Sequence, residues 1–272
     1  MENVQKLHEQ VLYSQVRVKA GQGGGSGTII YSNKFDSHYS TYVLTCHHVI
    51  DSAITVKKEW DSRLGRDRKK EYRQLVTVDF FDYQNSPHGS VPVTYSTPAE
   101  IVAYDTPHDM AILKLRTVEP AKYTANLYPK GEHKDINIGT KTIAVGSALL
   151  HDPIITEGII THQGDEIDYK VYWMSSAQII FGNSGGAMFA ERDGNYYFIG
   201  VPSRVDVVGW GSAVTHLGYF SPIPRVYEFF NEQLFHFLVP DSKHTESDCL
   251  KEQESREERE ERRLYLEGVE NE

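Results

Sequence analysis

Apolar residues recur along this chain mainly at every second position, in short runs bounded by Gly, Pro, Asn, Asp and Ser. A first set covers Thr28–Tyr31, Thr41–Thr45, Ile54–Val56, Leu75–Phe81, Val91–Tyr95, Ile101–Ala103 and Met110–Leu115. After a loop rich in Tyr, Pro and Gly, similar runs return at Thr142–Val145, Ile154–His162, Lys170–Met174, Gly186–Ala190, Tyr196–Val201 and Ala213–Phe220. Ahead of them, a polar segment predicts a short helix. A strand-like alternation through Val11, Tyr13, Val16 and Val18 follows, then a glycine-rich turn over Gly21–Gly27. Strands this short, with no helices alternating between them, predict an all-β barrel or sandwich. Their number fits two six-stranded antiparallel β-barrels, over about 11–125 and 126–223.

The period changes at Arg225–Leu238. Val226, Phe229, Phe230, Leu234 and Phe237 recur at helical spacing and predict a C-terminal amphipathic helix, ended by Pro240. One domain over 1–240 is therefore expected. Residues 241–272 form a charged tail, read as a solvated helix or a disordered segment rather than a dedicated binding element.

Charge sharpens this picture. The net charge is −10, and the tail alone holds twelve Asp/Glu against six Lys/Arg, so the body is only mildly acidic. Such a balance offers no broad phosphate-tracking surface. Lys57–Arg73 is an exception, with eight Lys/Arg and four Asp/Glu. Its aromatics are only Trp60 and Tyr72, so it reads as a solvated loop or hairpin tip, and no nucleic-acid partner is expected. The two cysteines, Cys46 and Cys249, supply no disulfide framework. The first residues have no apolar run of the signal-peptide kind, and no stretch is long or apolar enough to cross a membrane. A cytoplasmic protein with no membrane partner is the expectation.

Three stretches carry chemistry. In Tyr42–Ile50 an apolar strand delivers a histidine where the chain leaves the sheet, a place from which a rigidly held ring can act as a general base. Taken alone, this segment fits a surface His-His pair equally well. In His108–Leu115 a carboxylate precedes a buried strand and can accept a proton from an imidazole, although Asp before a strand is also ordinary turn chemistry. Phe181–Ala187 (FGNSGGA) is the most specific: glycines on both sides of a serine let backbone N–H groups point at an oxyanion, and by position Gly182 and Ser184 supply them. The order is His48, Asp109, Ser184, at separations of 61 and 75 residues, unlike the nucleophile-elbow arrangement of strand, turn and helix. Cys46 lies beside the histidines without oxyanion glycines, which marks it as a buried structural thiol.

With these motifs in view the chain resembles the trypsin-like (chymotrypsin-fold) serine proteases, and within them the HtrA/Deg-type protease domain. Gly25-Ser-Gly-Thr-Ile-Ile30 resembles that domain's G-S-G strand, and Thr45-Cys-His-His-Val-Ile50 its T-x-x-H-V-I. Asp109-Met-Ala-Ile-Leu-Lys-Leu115 resembles D-x-A-[LV]-L-K, and Gly182-Asn-Ser-Gly-Gly-Ala187 resembles G-N-S-G-G-A. Phe198–Val201 and Gly218–Ile223 sit where the family has its substrate-lining and G-F-A-I-P strands.

The resemblance implies a serine endopeptidase acting on a protein or peptide, with catalytic His48, Asp109 and Ser184 and an oxyanion hole from Gly182 and Ser184. No cofactor and no metal are implied. Gln178 takes the floor of the substrate pocket, and the opposite wall comes from Val201, Pro202 and Ser203 with Tyr219 and Phe220. Pro202 stands where glutamate-specific relatives have histidine, so a small or apolar side chain is expected at the cleavage position. No PDZ domain is expected after Leu238, and no trypsin-like activation by N-terminal cleavage. The competing expectation is a protease-like domain that is silent, or gated by an activating partner or homo-oligomer, and binds peptides in its cleft. Gly182–Gly186 and a flexible loop at Tyr123–Gly139 are where such control is expected.

Overall fold

The computed structural model describes residues 2–62, 65–83 and 93–269. Six strands close a first antiparallel barrel: β1 (Gln15–Ala20), β2 (Gly23–Phe35), β3 (His38–Thr45), β6 (Val76–Asp82), β7 (Val93–Asp105) and β8 (Met110–Thr117), in the order β1-β2-β3-β8-β7-β6. A second barrel comprises β9 (Lys141–Gly146), β10 (Ile154–Ile167), β11 (Lys170–Ser175), β12 (Ala187–Arg192), β13 (Asn195–Val208) and β14 (Ser212–Pro222), in the order β10-β11-β14-β13-β12-β9. Period-2 alternation sends one face of each strand inward. Val16, Val18, Val43 and Leu113 fill the first interior, while Leu44 and Ile112 are buried on the other face of the same strands, and Val145, Ile160, Phe189, Phe198, Val201 and Phe220 are buried in the second barrel. Fully burying an aliphatic or aromatic side chain of this size contributes roughly 1.5–3 kcal/mol.

Several expectations change in detail. Val11 and Leu12 belong to a helical turn that follows α1 (Glu2–Leu7), so the first strand starts only at Gln15. The glycine-rich turn shrinks to Gly21–Gln22, and the remaining glycines lie within β2. Glycine is needed there because other groups press on the strand: a Cβ on Gly25 would stand 2.8 Å from the Ser184 carbonyl and 2.7 Å from Val49 Cγ2. The run at Ile54–Val56 joins neither barrel. It opens β4 (Ile54–Asp61), which pairs only with β5 (Arg66–Arg73) in a separate two-stranded ribbon. Of the run Val91–Tyr95, Val91 and Pro92 lie outside the described residues, and β7 is described from Val93.

The connection at Tyr123–Gly139 is pinned rather than loose. The Ala125 amide donates to Ile29 of the first barrel, and Asn126, Tyr128 and Gly139 bond to Phe198 and Ile160 of the second, all within 3.0 Å. After β14, helix α3 (Ile223–Glu232) lays Ile223, Val226, Tyr227, Phe229 and Phe230 onto the core. It ends six residues earlier than the apolar spacing implied. Leu234 turns into the left-handed region at φ 60°, and Phe235, Phe237 and Leu238 stay buried in a tight turn instead. The tail is a helix, α4 (Glu246–Val269). Its first turns dock: Cys249 is buried, and Gln253 and Arg256 donate to the carbonyls of Glu232, Gln233 and Leu234 at the end of α3. No helix among the described residues is long and apolar enough to cross a membrane.

Candidate active site

The site lies where the two barrels meet. Strand β3 runs straight into a single helical turn, α2 (His47–Ile50), whose apolar Val49 and Ile50 are buried and leave His48 half-exposed at the rim. Asp109 occupies the turn between β7 and β8 at φ 55°, a left-handed conformation that a short polar side chain tolerates. Its carboxylate takes the two donors of His48: Oδ2 lies 2.7 Å from Nδ1, and Oδ1 accepts from the His48 amide at 2.9 Å. Ser203, on β13 of the other barrel, donates a third hydrogen bond to the same carboxylate, at 2.6 Å.

These contacts set the charges. Burial on its own depresses a histidine, but the hydrogen bond and charge of Asp109, with Asp51 beyond, hold the His48 ring above its ordinary value. Burial likewise pushes Asp109 upward, yet its bonds to His48 and Ser203 outweigh this and hold it below the usual carboxylate range. With Nδ1 donating to Asp109, the neutral ring presents Nε2 as its acceptor.

Ser184 sits in the loop between β11 and β12. Asn183 braces that loop: its Oδ1 accepts from the Ile180 amide, and its own amide donates to the Ile180 carbonyl, both at 3.0 Å. The Ser184 carbonyl accepts from the Ser26 amide at 2.8 Å, and the Gly185 amide donates to Pro202 at 2.9 Å. The serine is thus fastened to both barrels. Among the described residues its hydroxyl has no hydrogen-bond partner. The structure therefore links His48, Asp109 and Ser203 in one chain of hydrogen bonds, and Ser184 Oγ stands outside that chain.

The orientation of the preceding peptide is fixed. The Phe181 carbonyl accepts from the Leu149 amide at 2.7 Å, so the trans peptide turns the Gly182 N–H to the opposite side. Gly182 adopts φ 95°, and a Cβ there would meet the Ser147 carbonyl at 2.5 Å. Its carbonyl is taken by Ser26 Oγ at 2.6 Å, and the same oxygen accepts from the Ser147 amide at 2.6 Å. Among the described residues the Gly182 and Ser184 amides have no intramolecular acceptor. They are two donors side by side and unused.

The residues expected to line a substrate pocket separate. Gln178 is exposed, and its carbonyl accepts from Thr156. Its neighbour Ile179 turns inward instead, 2 % exposed, and its Cγ1 would lie 2.5 Å from a Cβ on Gly218. Val201 and Phe220 are fully buried in the second core and present no surface to a ligand. Pro202 offers its carbonyl to Gly185 and to Cys46 Sγ, and the Tyr219 hydroxyl donates to Asp206. Cys46 is fully buried, which raises its thiol well above the ordinary range. Sequence reasoning missed what Ser203 does. It also found Ser26 only as part of a motif, because neither role has a local signal: Ser203 lies 94 residues from its acceptor and Ser26 lies 156 from its own. Among the described residues two groups offer metal-ligand atoms within 4.8 Å, Cys46–His48–Asp109 and Asp105–His108–Glu232. In each a hydrogen-bonded His–Asp pair accounts for the proximity.

A family model of the trypsin-like peptidase domain matches residues 25–201. A comparison with curated protein sequences finds no match. Among solved structures, the crystal structure of Deg5 is similar, with a TM-score of 0.56 at 21% identity, over 84% of this chain and 91% of that chain. That likeness is one of fold. The family match runs from the glycine stretch of β2 into β13 and takes in His48, Asp109 and Ser184 in their order, and the chain belongs to the trypsin-like peptidase domain family.

Proposed function

We propose that this chain is a serine endopeptidase. Ser184 Oγ attacks the scissile carbonyl while His48 Nε2 takes its proton; His48 returns that proton to the leaving amine, and water repeats the cycle on the acyl-enzyme. Asp109 fixes the tautomer and orientation of His48, with Ser203 holding the carboxylate in turn. The Gly182 and Ser184 amides stabilise the oxyanion. The observation that carries the reading is the two-donor grip of Asp109 on His48 beside a serine flanked by unused amides. A short side chain at the cleavage position follows from Ile179, which fills the space against Gly218 just ahead of the nucleophile loop.

A second reading draws on the Ser184 hydroxyl, which has no hydrogen bond to His48: a cleft that binds peptides and cuts only when a partner completes it. One experiment separates the two. A fluorescent fluorophosphonate should label the purified chain at Ser184, with labelling lost in Ser184→Ala and His48→Ala, and peptide profiling should then favour Ala or Ser over Phe or Arg. A folded wild-type chain that takes no label would overturn the first reading and support the gated one.

A further inference from the structure

The ribbon β4–β5 has no role in this mechanism. It leaves the first barrel six residues after His48, and every side chain from Thr55 to Trp60 and from Arg66 to Arg73 is exposed. A two-stranded hairpin without a buried face is marginal in water. Its register adds to the cost, since Lys57 stands directly opposite Lys70, and Lys58 opposite Lys69. Successive side chains alternate, so each face carries one of these like-charge pairs, an arrangement that destabilises a sheet. Some cations are tied locally: Lys70 reaches Glu59 at 3.8 Å, Arg68 reaches Asp61 at 3.9 Å, and Lys57 and Lys70 lie over the Tyr72 ring. The side chains of Lys58, Arg66 and Lys69 have no ion pair or hydrogen bond among the described residues. Trp60 stands among them, 67% exposed.

We propose that this ribbon is a docking surface for an acidic, extended segment of the polypeptide that the cleft cuts; the inference rests on the function proposed above. An anionic occupant relieves the facing lysines, of which only Lys70 has an ion pair within the ribbon. A polypeptide fits better than a nucleic acid for two reasons. Both strand edges are open and can pair with an extended chain, and the interspersed Glu59, Asp61, Asp67 and Glu71 oppose a continuous phosphate backbone. A carboxylate already borders the groove: Glu261 of α4 faces Trp60, Arg68, Lys69 and Lys70 across it.

The test uses full-length Ser184→Ala protein and a fluorescein-labelled Asp/Glu-rich peptide, read by anisotropy at low and high salt. Binding should weaken with salt. It should weaken by about tenfold or more when Lys57, Lys58, Lys69 and Lys70 are all changed to Thr. In the Ser184 background the same four changes should leave fluorophosphonate labelling at the wild-type rate and thermal stability equal or higher. Absence of lysine-dependent peptide binding overturns the proposal. So does tighter binding of a single-stranded oligonucleotide of equal charge, or a quadruple variant whose sole defect is self-association, the mark of lysines that only protect the edges. Labelling reports on the proposed function separately. If the chain takes no label yet binds the peptide through the lysines, that function fails and the surface stands.

Discussion

The hydroxyl of Ser26 bridges the Gly182 carbonyl and the Ser147 amide, and so holds the peptide that follows Gly182. In Ser26→Ala the buried Ser147 amide is left unpaired and the part-buried Gly182 carbonyl loses its donor, at about 1–3 kcal/mol. Ser26 is a positioning residue, so kcat should fall by about ten- to a hundredfold with KM nearly unchanged, a smaller loss than deleting an oxyanion donor outright. Affinity for a peptide boronate should drop in parallel; a drop in KM-type binding alone would refute the assignment. The His48–Asp109 pair adds a pH signature. Because the ring titrates above its ordinary 6.5, the acid limb of kcat/KM should lie above that value. In Asp109→Asn burial is opposed only by the charge of Asp51, so the limb should move to lower pH while kcat falls by about ten-thousandfold. The raised His48 value makes the pair a source of stability below the unfolded histidine range, lost as pH rises through the folded value. The lowered Asp109 value acts above the unfolded carboxylate range and is lost as pH falls. Unfolding midpoints measured from acid to neutral pH, against the Asn variant, would read both limbs.

Elements show where pattern reading succeeds and where it stops. Strands with one buried face announce themselves by alternation, and both barrels were legible for that reason. Without such a face, β4–β5 could be read only as a short run at Ile54–Val56 followed by a solvated loop or hairpin tip; the extent of the ribbon comes from backbone pairing, to which periodicity is blind. Helix α3 was overextended because Phe235 and Phe237 keep apolar company in a turn, and burial does not distinguish a turn from a helix. The tail was read as solvated, yet α4 is held by a contact no local signal marks. Glu246, 4% exposed at its side chain, accepts from Lys114 Nζ and from the Tyr42 hydroxyl, each at 2.8 Å. In Glu246→Gln the buried ammonium of Lys114 loses its partner, and urea unfolding should show a loss of about 3–5 kcal/mol. The double change Glu246→Met, Lys114→Met should cost far less; equal costs would mean that the ion pair is not what anchors α4.

At the scale of the molecule, four motifs in sequence order foreshadowed a site that only the meeting of two barrels assembles. His48 and Asp109 belong to the first barrel, while Ser184 and Ser203 belong to the second. The pocket was less legible: counting back from Ser184 puts Gln178 on its floor, but spacing does not give the course of the loop, in which Gln178 is exposed and Ile179 turns inward. The division between barrels has a consequence in time. A chain growing from its N-terminus displays the imidazole and its carboxylate long before the serine. The strand carrying Ser203, which completes the carboxylate's hydrogen bonds, comes later still. No product truncated ahead of Ser203 holds all the parts, so the complete site is delayed until the strands of the second barrel come together.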